Sequence, residues 1–335
     1  DRVLKTQESL LVRDTLLDDA FKQRQSIVGQ RVRTFMAAPL QTKDRIIGLI
    51  YVDSPSLTRV FTKDDLNLLT VMANIAAVRI EHARLAEIEN QERLMAHELG
   101  QAAEIQRRFL PAQAPDVPGL DLSGHNAPCR TVGGDYFDFF PYPGGRVAMV
   151  LGDVSGKGMP ASLLMMQFQA RVQLLIEEPE SLAAVITRLN RLTATNLPSN
   201  RFITFFMCLV DGTSGELVFA NAGHNPPLLL RAGGAVQWLE DGGCPLGIIP
   251  TMQYDEARER LNPGDVLVVF SDGVTDASNP QGDDFGGERL AKVVGDHRRE
   301  SAAAILDAVN HAITDWAAGT PLPDDLTLLV ARRTG

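Results

Sequence analysis

Four acidic turns constrain the fold of this chain more strongly than any other feature of its sequence. Each turn places aspartate beside glycine, serine or proline, next to a hydrophobic segment. The turns are Gly-Gly-Asp135-Tyr-Phe-Asp138, Leu-Gly-Asp153-Val-Ser-Gly, Phe-Ser-Asp272-Gly-Val-Thr-Asp276 and Pro-Asp324-Asp325-Leu-Thr. A carboxylate at the end of a buried strand is costly unless a cation or a hydrogen-bond donor pairs with it. Since the turns are far apart in sequence, only the fold could bring their carboxylates together.

Carboxylates that meet in this way favour a site for a hard divalent cation. Mg²⁺ and Mn²⁺ prefer oxygen ligands, and a few carboxylates with several waters complete their coordination. A single aspartate in such a turn would also serve as a turn former or a helix cap. The repetition of one context in four separate turns predicts a metal site instead.

A long helical stretch divides the chain. Residues 78–109 contain no proline and one glycine, and two seven-residue series run through them. The series are Val78, Leu85, Glu92, Leu99, Gln106 and Glu81, Ile88, Met95, Ala102, Phe109. The pattern favours a coiled coil that joins two copies of the chain through the helix of residues 78–110, with polar residues at seam positions weakening it and fixing register. The alternative is one amphipathic helix packed on its own domain.

The segment before this helix predicts a small α+β domain. Residues 36–52 read as two strands around a Gln-Thr-Lys-Asp turn, and Thr62 to Asp65 form a capping box that starts a helix over residues 62–83. "RTFMAAPLQTKDRIIGLIYVDSP" followed by "FTKDDLNLLTVMANIAAVRIEHARL" resembles the C-terminal half of a GAF domain, over about residues 25–85. The chain begins without an initiator Met, so we expect further residues before Asp1 and an incomplete ligand pocket.

The segment after the helix has a different sequence pattern. Three prolines between residues 110 and 120 end the helix, and short hydrophobic strands between turns follow. The predicted strands are 147–151, 203–210, 216–221, 228–231, 266–270 and 326–330, and the predicted helices are 160–177, 181–196, 287–294 and 301–317. Short turns between sequential strands imply antiparallel pairing, hence an α+β fold. The predicted domains are a partial GAF-like sensor (1–83), a helical linker (84–114) and a third domain (115–335).

Five ordered motifs in the third domain carry a family resemblance. "VGGDYFDFF", "VLGDVSGKGMPASLLM", "FANAGHNPPLLL", "VFSDGVTDA" and "DDLTLLV" closely resemble the sporulation and stress-response branch of the bacterial metal-dependent protein phosphatases (PPM superfamily), over about residues 115–333. The resemblance implies a β-sandwich of two antiparallel sheets flanked by helices, with two Mn²⁺ or Mg²⁺ ions at one end. It also implies dephosphorylation of serine or threonine in a protein, usually an anti-sigma-factor antagonist of the STAS type.

The same resemblance implies a ligand set for the two ions. The matching positions are Asp135, Asp153 as the bridging carboxylate, the Val154 carbonyl, Asp272 and Asp324, with Asp325 as a substitute ligand or a neighbour of the ligands. The implied mechanism is direct attack of a metal-activated water on phosphorus, without a protein nucleophile. The absence of a Gly-x-Ser-x-Gly elbow and of a Cys-x5-Arg loop agrees with it.

Five further residues match the family less closely. Arg130 lies near the position of a phosphate-binding arginine, and Lys157 stands where many relatives have a histidine that acts as a candidate general acid. Each is a candidate phosphate contact, and a solvent-facing lysine is the alternative at position 157. His224 belongs to a family signature, but its Asn-Pro-Pro neighbours read as a tight turn, so a structural role is the alternative. Asp138 and Asp276 are candidates for hydrogen-bonding neighbours of the ligands.

Composition excludes several other classes of protein. A net charge of −10 argues against a general binder of nucleic acid or anionic membranes, and no apolar run approaches the roughly 18 residues of a transmembrane helix. Three widely spaced cysteines predict free thiols, which fits the cytoplasm. One alternative function is a catalytically idle interaction module with the phosphatase fold. A nucleotide cyclase is a weaker alternative, because its catalytic order and purine-reading Lys/Asp pair are not found.

Overall fold

The computed structural model describes residues 2–21, 31–56, 60–177 and 181–335. These residues form two compact units, Asp1–His97 and Glu98–Gly335. The domain boundaries expected after residues 83 and 114 stay predictions. The three cysteines are unpaired, as predicted.

The first unit contains a three-stranded antiparallel sheet. It consists of α1 (Arg2–Thr6), β1 (Leu10–Val12), β2 (Thr34–Gln41), β3 (Ile46–Ser54) and the first part of α2 (Lys63–Arg107), with sheet order β1-β2-β3. Met36 and Ala38 of β2 pack on Leu69 and Ala73 of α2. The strand–turn–strand–helix order predicted for this region is confirmed. Residues 25–30 and 57–59 of the GAF-like segment lie outside the described residues.

Helix α2 starts at the predicted capping box and runs for 45 residues. The Thr62 N–H donates to Asp65 Oδ2 at 2.8 Å, and the Asp65 N–H donates to Thr62 Oγ1 at 3.2 Å. This reciprocal pair satisfies two N–H groups that would otherwise lack partners at the helix start. Among the residues that the structure describes, no helix is both long enough and apolar enough to cross a membrane.

The second unit is a sandwich of two five-stranded antiparallel sheets with helices outside. Its strands are β4 (Leu120–Ala127), β5 (Asp135–Tyr142), β6 (Arg146–Val154), β7 (Ile203–Asp211), β8 (Glu216–Ala222), β9 (Leu228–Leu230), β10 (Val236–Trp238), β11 (Ala257–Arg260), β12 (Val266–Phe270) and β13 (Leu326–Arg333). Its helices are α3 (Met159–Ile176), α4 (Leu182–Ala194), α5 (Asp272–Thr275), α6 (Gly286–His297) and α7 (Ala302–Ala317). One sheet has the order β10-β9-β12-β13-β4 and the other β11-β8-β7-β6-β5. The predicted α+β architecture is therefore confirmed.

Strand alternation fills three apolar layers. In β6, Met149 and Leu151 face the space between the sheets, where they join Val269 and Leu329 of the other sheet. Val150 faces the opposite way, toward the layer that contains α3 and α4. A third layer lies between the sheet β10-β9-β12-β13-β4 and the helices α6 and α7. Burial on both faces explains why β6 reads as a continuous apolar run rather than an alternating one.

Among the six strands predicted for this unit, the expectation that sequential strands pair fails at one place. β8 and β9 are separated by a short loop, yet they belong to different sheets. Pro226 and Pro227 lie in this loop and lack the N–H groups that a ladder needs, so the chain crosses between the sheets there. The tight turn predicted around Asn225 is thus a sheet-to-sheet crossing.

Candidate metal centre

The strand register brings the acidic turns to one end of the sandwich. Asp135 at the start of β5 lies opposite Asp153 near the end of β6. In the other sheet, Phe270 of β12 pairs with Leu328 of β13, so Asp272 and Asp324 follow and precede paired strand ends. Burial, followed by the charges of Asp272 and Asp324, raises the pKa of Asp153 to about 7. The carboxylates of both sheets therefore act on one another electrostatically.

Asp135 is the most deeply buried of these carboxylates, with 2% of its surface exposed. Burial and the charge of Asp153 raise its pKa well above the usual range. The Thr327 hydroxyl donates to Asp135 Oδ2 at 2.5 Å, and Asn126 Nδ2 donates to Thr327 Oγ1 at 2.8 Å. Because Thr327 belongs to β13, this hydrogen bond joins the two sheets at the acidic end.

The Val154 carbonyl lies beside Asp135. A Cβ on Gly134 would come within 2.9 Å of Val154 O, so glycine leaves room for this oxygen next to the aspartate. The Val154 N–H donates to Gly134 O at 3.4 Å, which keeps the two segments together. Several carboxylates and one backbone carbonyl are the ligand types that a hard divalent cation takes. Crowded carboxylates with raised pKa values are also the environment that such a cation would stabilise, so the residues present fit the ions that the family implies.

Asp272 is held against the loop of Asp324 and Asp325 by backbone packing. A Cβ on Gly273 would lie 2.1 Å from Asp325 O, so only glycine permits this approach. The Ser271 hydroxyl donates to Asp325 O at 3.0 Å. Burial, and then the charges of Asp324 and Asp276, raise the pKa of Asp272. Asp276 thus lies close to Asp272, as expected of a neighbour of the ligands.

The two aspartates of the last turn differ in their contacts. Asp325 is buried, its Oδ1 accepts from the Cys129 N–H at 2.8 Å and its Oδ2 accepts from the Gly134 N–H at 2.6 Å. Asp324 is partly exposed, and its Oδ2 forms an ion pair with Lys157 Nζ at 2.7 Å. Since both Asp325 oxygens hold the backbone that leads to Asp135, the geometry favours Asp325 as a neighbour of the ligands rather than a substitute.

Two candidate phosphate contacts lie at the glycine turn after Asp153. Lys157 Nζ donates to the Pro323 carbonyl in addition to its ion pair with Asp324. Arg130 lies along Gly158, where a Cβ would be 3.6 Å from Arg130 Nη1. Lys157 therefore borders the acidic cluster directly, and Arg130 lies beside the same glycine turn.

His224 connects the two sheets behind the cluster. Its Nε2 lies 3.1 Å from Phe270 O, and its Nδ1 lies 2.9 Å from Thr204 Oγ1. A carbonyl can only accept, so Nε2 carries the hydrogen and Nδ1 accepts from the hydroxyl. Burial lowers the pKa of His224 to about 4, so the ring is neutral at physiological pH. These contacts favour the structural alternative for His224.

Asp138 is a candidate whose hydrogen bonds lie away from the cluster. Its oxygens accept from the Tyr136 hydroxyl at 3.0 Å and from the Phe139 N–H at 2.8 Å. Side chains alternate along a strand, so a residue three positions after Asp135 points to the opposite face of β5. The expectation that Asp138 hydrogen-bonds to the ligands is therefore corrected.

Gln106 is also placed differently from its prediction. As a seam residue it was expected to face a partner helix, but it is 6% exposed and contacts the turn before Asp135. Its Nε2 donates to Gly133 O at 2.7 Å, and its Oε1 accepts from the Gly133 N–H at 3.1 Å. The last turns of α2 belong to the second unit, and the carboxamide satisfies both polar groups of one buried residue there. The only indication of this contact in the sequence is that Gln106 is a polar residue in a largely apolar series.

Cys129 is a neighbour of the site that no sequence motif marks. Its sulfur and oxygens of Asp324 and Asp325 lie within 4.8 Å of one another. Burial and the two carboxylates raise the pKa of the Cys129 thiol to about 11. The thiol therefore stays protonated at neutral pH and is not prepared as a nucleophile.

Comparisons with known proteins find relatives in sequence and in fold. Protein IcfG of Synechocystis sp. is 27% identical over 263 residues, which cover 70% of this chain and 41% of IcfG. Phosphoserine phosphatase RsbU of Bacillus subtilis is 28% identical over 267 residues, which cover 79% of this chain and 78% of RsbU. The solved SiaA-PP2C domain of Pseudomonas aeruginosa superposes with a TM-score of 0.63 and 23% identity, covering 72% of this chain and 98% of that domain. This likeness confirms the predicted sandwich fold.

Two family models match the chain. Residues 1–80 match the GAF domain, which confirms the predicted resemblance and extends it to the first residue. Residues 143–334 match the family described as Stage II sporulation protein E (SpoIIE). Because that second match covers more than half of the 335 residues, the chain belongs to the SpoIIE family.

Proposed function

We propose that this serine/threonine phosphatase removes phosphate from a protein regulator and depends on two Mn²⁺ or Mg²⁺ ions. The observation that carries the proposal is the convergence of Asp135, Asp153, Asp272 and Asp324 at one end of the sandwich. The proposed ligands are Asp135, Asp153 as the bridge, the Val154 carbonyl, Asp272 and Asp324. Raised pKa values at Asp135, Asp153 and Asp272 support the assignment, because unpaired charges here are unfavourable until a cation joins them.

The chain itself supplies position and charge. When bound, the ions would acidify a water and offset the charge of the phosphoryl oxygens. Asp325 fixes the backbone before Asp135 through two hydrogen bonds, so that the first ligand is already in place. Lys157 is paired with Asp324, and a cation at Asp324 would compete for that carboxylate. The released ammonium, together with Arg130, would then face a substrate phosphate as a positive charge.

The proposed substrate is a phosphoprotein rather than a small metabolite. Supporting it, the relative RsbU is named a phosphoserine phosphatase and shares most of its length with this chain. Within this family we propose a STAS-type anti-sigma-factor antagonist as the substrate and the cytoplasm as the location. Contacts away from the phosphate would supply the selectivity of such an enzyme.

Control by the N-terminal region is the second part of the proposal. Gln106 at the end of α2 holds Gly133, two residues before Asp135, so a change in helix position would reach a ligand. Leu85 and Met95 of the same helix are exposed apolar side chains at seam positions, which supports a homodimer through residues 78–110. We propose a sensor at 1–83, a linker at 84–114 and a catalytic domain at 115–335.

Hydrolysis of p-nitrophenyl phosphate tests the core of this proposal. The purified chain should release nitrophenol with Mn²⁺ or Mg²⁺ and stop when a chelator is added. Asp272→Asn should remove most of this activity, whereas Asp307→Asn, at an exposed position of α7, should not. A chain that binds a phosphoprotein but hydrolyses nothing under any metal condition would instead be the idle interaction module.

A further inference from the structure

Arg201 holds the turn that follows Asp153, although it lies outside the proposed ligand set. Its Nη1 donates to the Ser155 carbonyl at 2.5 Å. The next residue makes two more bonds to the same serine: the Ser155 N–H donates to Phe202 O at 3.0 Å, and the Phe202 N–H donates to Ser155 Oγ at 2.9 Å. Residues 201 and 202 therefore fix all three polar groups of Ser155.

The guanidinium of Arg201 also fills the space beside Gly156. A Cβ on Gly156 would lie 1.4 Å from Arg201 Nη1 and 2.5 Å from Arg201 Cζ. Gly156 has a φ of 94°, in the left-handed region that glycine enters without steric cost. Position 156 thus favours glycine for its backbone conformation, and a side chain there would also displace the Arg201 guanidinium.

These contacts determine the direction of the Val154 carbonyl. That carbonyl belongs to the same peptide group as the Ser155 N–H, and the two point in opposite directions in a trans peptide. The bond from this N–H to Phe202 O therefore turns the carbonyl away from Phe202, and it lies at Gly134. Arg201 holds the next carbonyl along the chain, which restrains rotation of the backbone on the other side of Ser155.

The bond from Arg201 is of the stronger kind. A hydrogen bond from a charged guanidinium is roughly twice as strong as a neutral one. Within the described ranges 2–21, 31–56, 60–177 and 181–335, no ion pair joins Arg201 to a carboxylate. Its guanidinium is thus committed to the turn rather than to an acidic side chain.

We infer that Arg201 is a positioning residue of the metal centre. By holding the Ser155 carbonyl and covering Gly156, it restrains the backbone that carries the Val154 carbonyl beside Gly134, and it would thereby set the affinity for Mn²⁺. The inference rests on the proposed function in one respect, the role of the Val154 carbonyl as a ligand. The arrangement of Arg201 over Gly156 is independent of it.

A double-mutant cycle without metal tests the arrangement. Stability in EDTA is measured by urea unfolding for the parent, Gly156→Ala, Arg201→Ala and the double variant. In the parent background, Gly156→Ala adds backbone strain and also displaces Arg201 from Ser155. In the Arg201→Ala background only the strain remains, so the loss of stability should be smaller. Equal losses in the two backgrounds would show that Arg201 does not cover Gly156 and would overturn the inference.

Calorimetric titration with Mn²⁺ tests the consequence. Arg201→Ala should weaken Mn²⁺ binding by about 10–100-fold, the usual effect of losing a residue that orients a ligand. Arg201→Lys should recover part of it, and Arg258→Ala, at an exposed arginine of β11 paired with Glu216, should bind like the parent. Unchanged affinity in Arg201→Ala would overturn the positioning role. A parent that binds no Mn²⁺ would overturn the proposed ligand set instead, and the cycle in EDTA would still report on the arrangement.

Discussion

The same strands form the interior of the sandwich and its acidic end. Apolar side chains fill the interior, whereas carboxylates crowd the acidic end. Strand β6 shows the contrast within nine residues: Val147 to Leu151 are fully buried and apolar, and Asp153 follows two residues later. The interior residues lose contact with water and stabilise the fold. The aspartate loses water as well, and its charged form is opposed by the nearby charges of Asp272 and Asp324. One strand thus contains both a source of stability and a site that reduces it.

The acidic end therefore depends on a rigid interior to hold its carboxylates in place. Asp135 and Asp153 are held opposite each other by the β5–β6 register. Burial and the charge of Asp153 raise the pKa of Asp135, and burial and the charges of Asp272 and Asp324 raise the pKa of Asp153. A less rigid sandwich would let these carboxylates move apart and into water. The apolar layers on both faces of β6 prevent this movement, so the interior holds the site in a geometry that the site alone would not adopt.

The largest effect that should separate the two regions is expected from Asp153→Asn. The variant loses one charge from the proposed bridge, and activity at saturating Mn²⁺ should fall by more than about a hundredfold, since even residues behind metal ligands cost about 10–100-fold. In EDTA at pH 8, above the pKa of about 7, the variant should melt at a higher temperature than the parent because one repulsive charge is gone. Substantial activity in the purified variant would rule out Asp153 as the bridge.

The interior should respond in the opposite sense. Leu151→Ala removes a fully buried side chain two residues from Asp153 and should lower the free energy of unfolding by about 2–5 kcal/mol. The folded variant, assayed at low temperature with Mn²⁺, should keep most of its activity. Leu163→Ala is the matched control, because Leu163 is 59% exposed and its loss should change stability by less than about 0.5 kcal/mol. Equal effects of the two changes would contradict the layered core.

His224 stands between the two regions, and its contribution should depend on pH. Burial lowers its folded pKa to about 4, below the ordinary value of 6.5. The unfolded chain then binds the proton more readily, so stability present at pH 7 is lost as the pH falls from about 6.5 to about 4, by about 2–3 kcal/mol. Urea unfolding between pH 4 and 7 tests this. The free energy of unfolding of His224→Asn should be lower than that of the parent at pH 7 and should fall less as the pH is lowered. A parallel pH dependence in both proteins would contradict the neutral, sheet-bridging imidazole.

The same contrast explains how much the sequence could predict. β12 was predicted with its observed bounds because Val266–Phe270 is apolar throughout and both of its faces are buried. β5 was missed because "DYFDFFPY" contains two aspartates and a proline, and it becomes a strand by pairing along its length with β6. β11, with the sequence Ala-Arg-Glu-Arg, was missed because an edge strand needs little apolar surface.

Turn-forming neighbours allowed the sequence to predict the acidic residues of the proposed site, but the residues that hold them were not predicted. Gln106 and Arg201 bind backbone atoms of Gly133 and Ser155, and Thr327 binds Asp135 from the other sheet. No local sequence pattern predicts such contacts, since a backbone carbonyl or N–H occurs at almost every position. Only the fold identifies which distant backbone a polar side chain reaches.

A smaller effect should come from Gln106, the residue that connects α2 to the acidic end. Gln106→Ala leaves a buried N–H and a buried carbonyl of Gly133 without partners, which should cost about 1–3 kcal/mol of stability. Mn²⁺-dependent activity should fall more than this loss explains when it is measured well below the melting temperature, because Gly133 lies next to the Gly134–Asp135 turn. Gln101→Ala, at an exposed position of the same helix, is the control and should leave both quantities unchanged.

The smallest effect is expected in the exposed part of α2. Here apolar side chains lie in water, whereas at the acidic end carboxylates are buried. Glu92→Leu extends the apolar seam and should tighten the proposed dimer, whereas Met95→Glu, at a side chain that is exposed in one chain, should loosen it. Two packings within a few kcal/mol of one another are needed for a signal to choose between them, so the two changes should shift basal phosphatase activity in opposite directions and only modestly. Sedimentation velocity gives the oligomeric state, and nitrophenyl phosphate hydrolysis gives the activity. If both variants sediment as monomers with the activity of the parent, α2 is a tether, and the signal reaches Gly133 by another route.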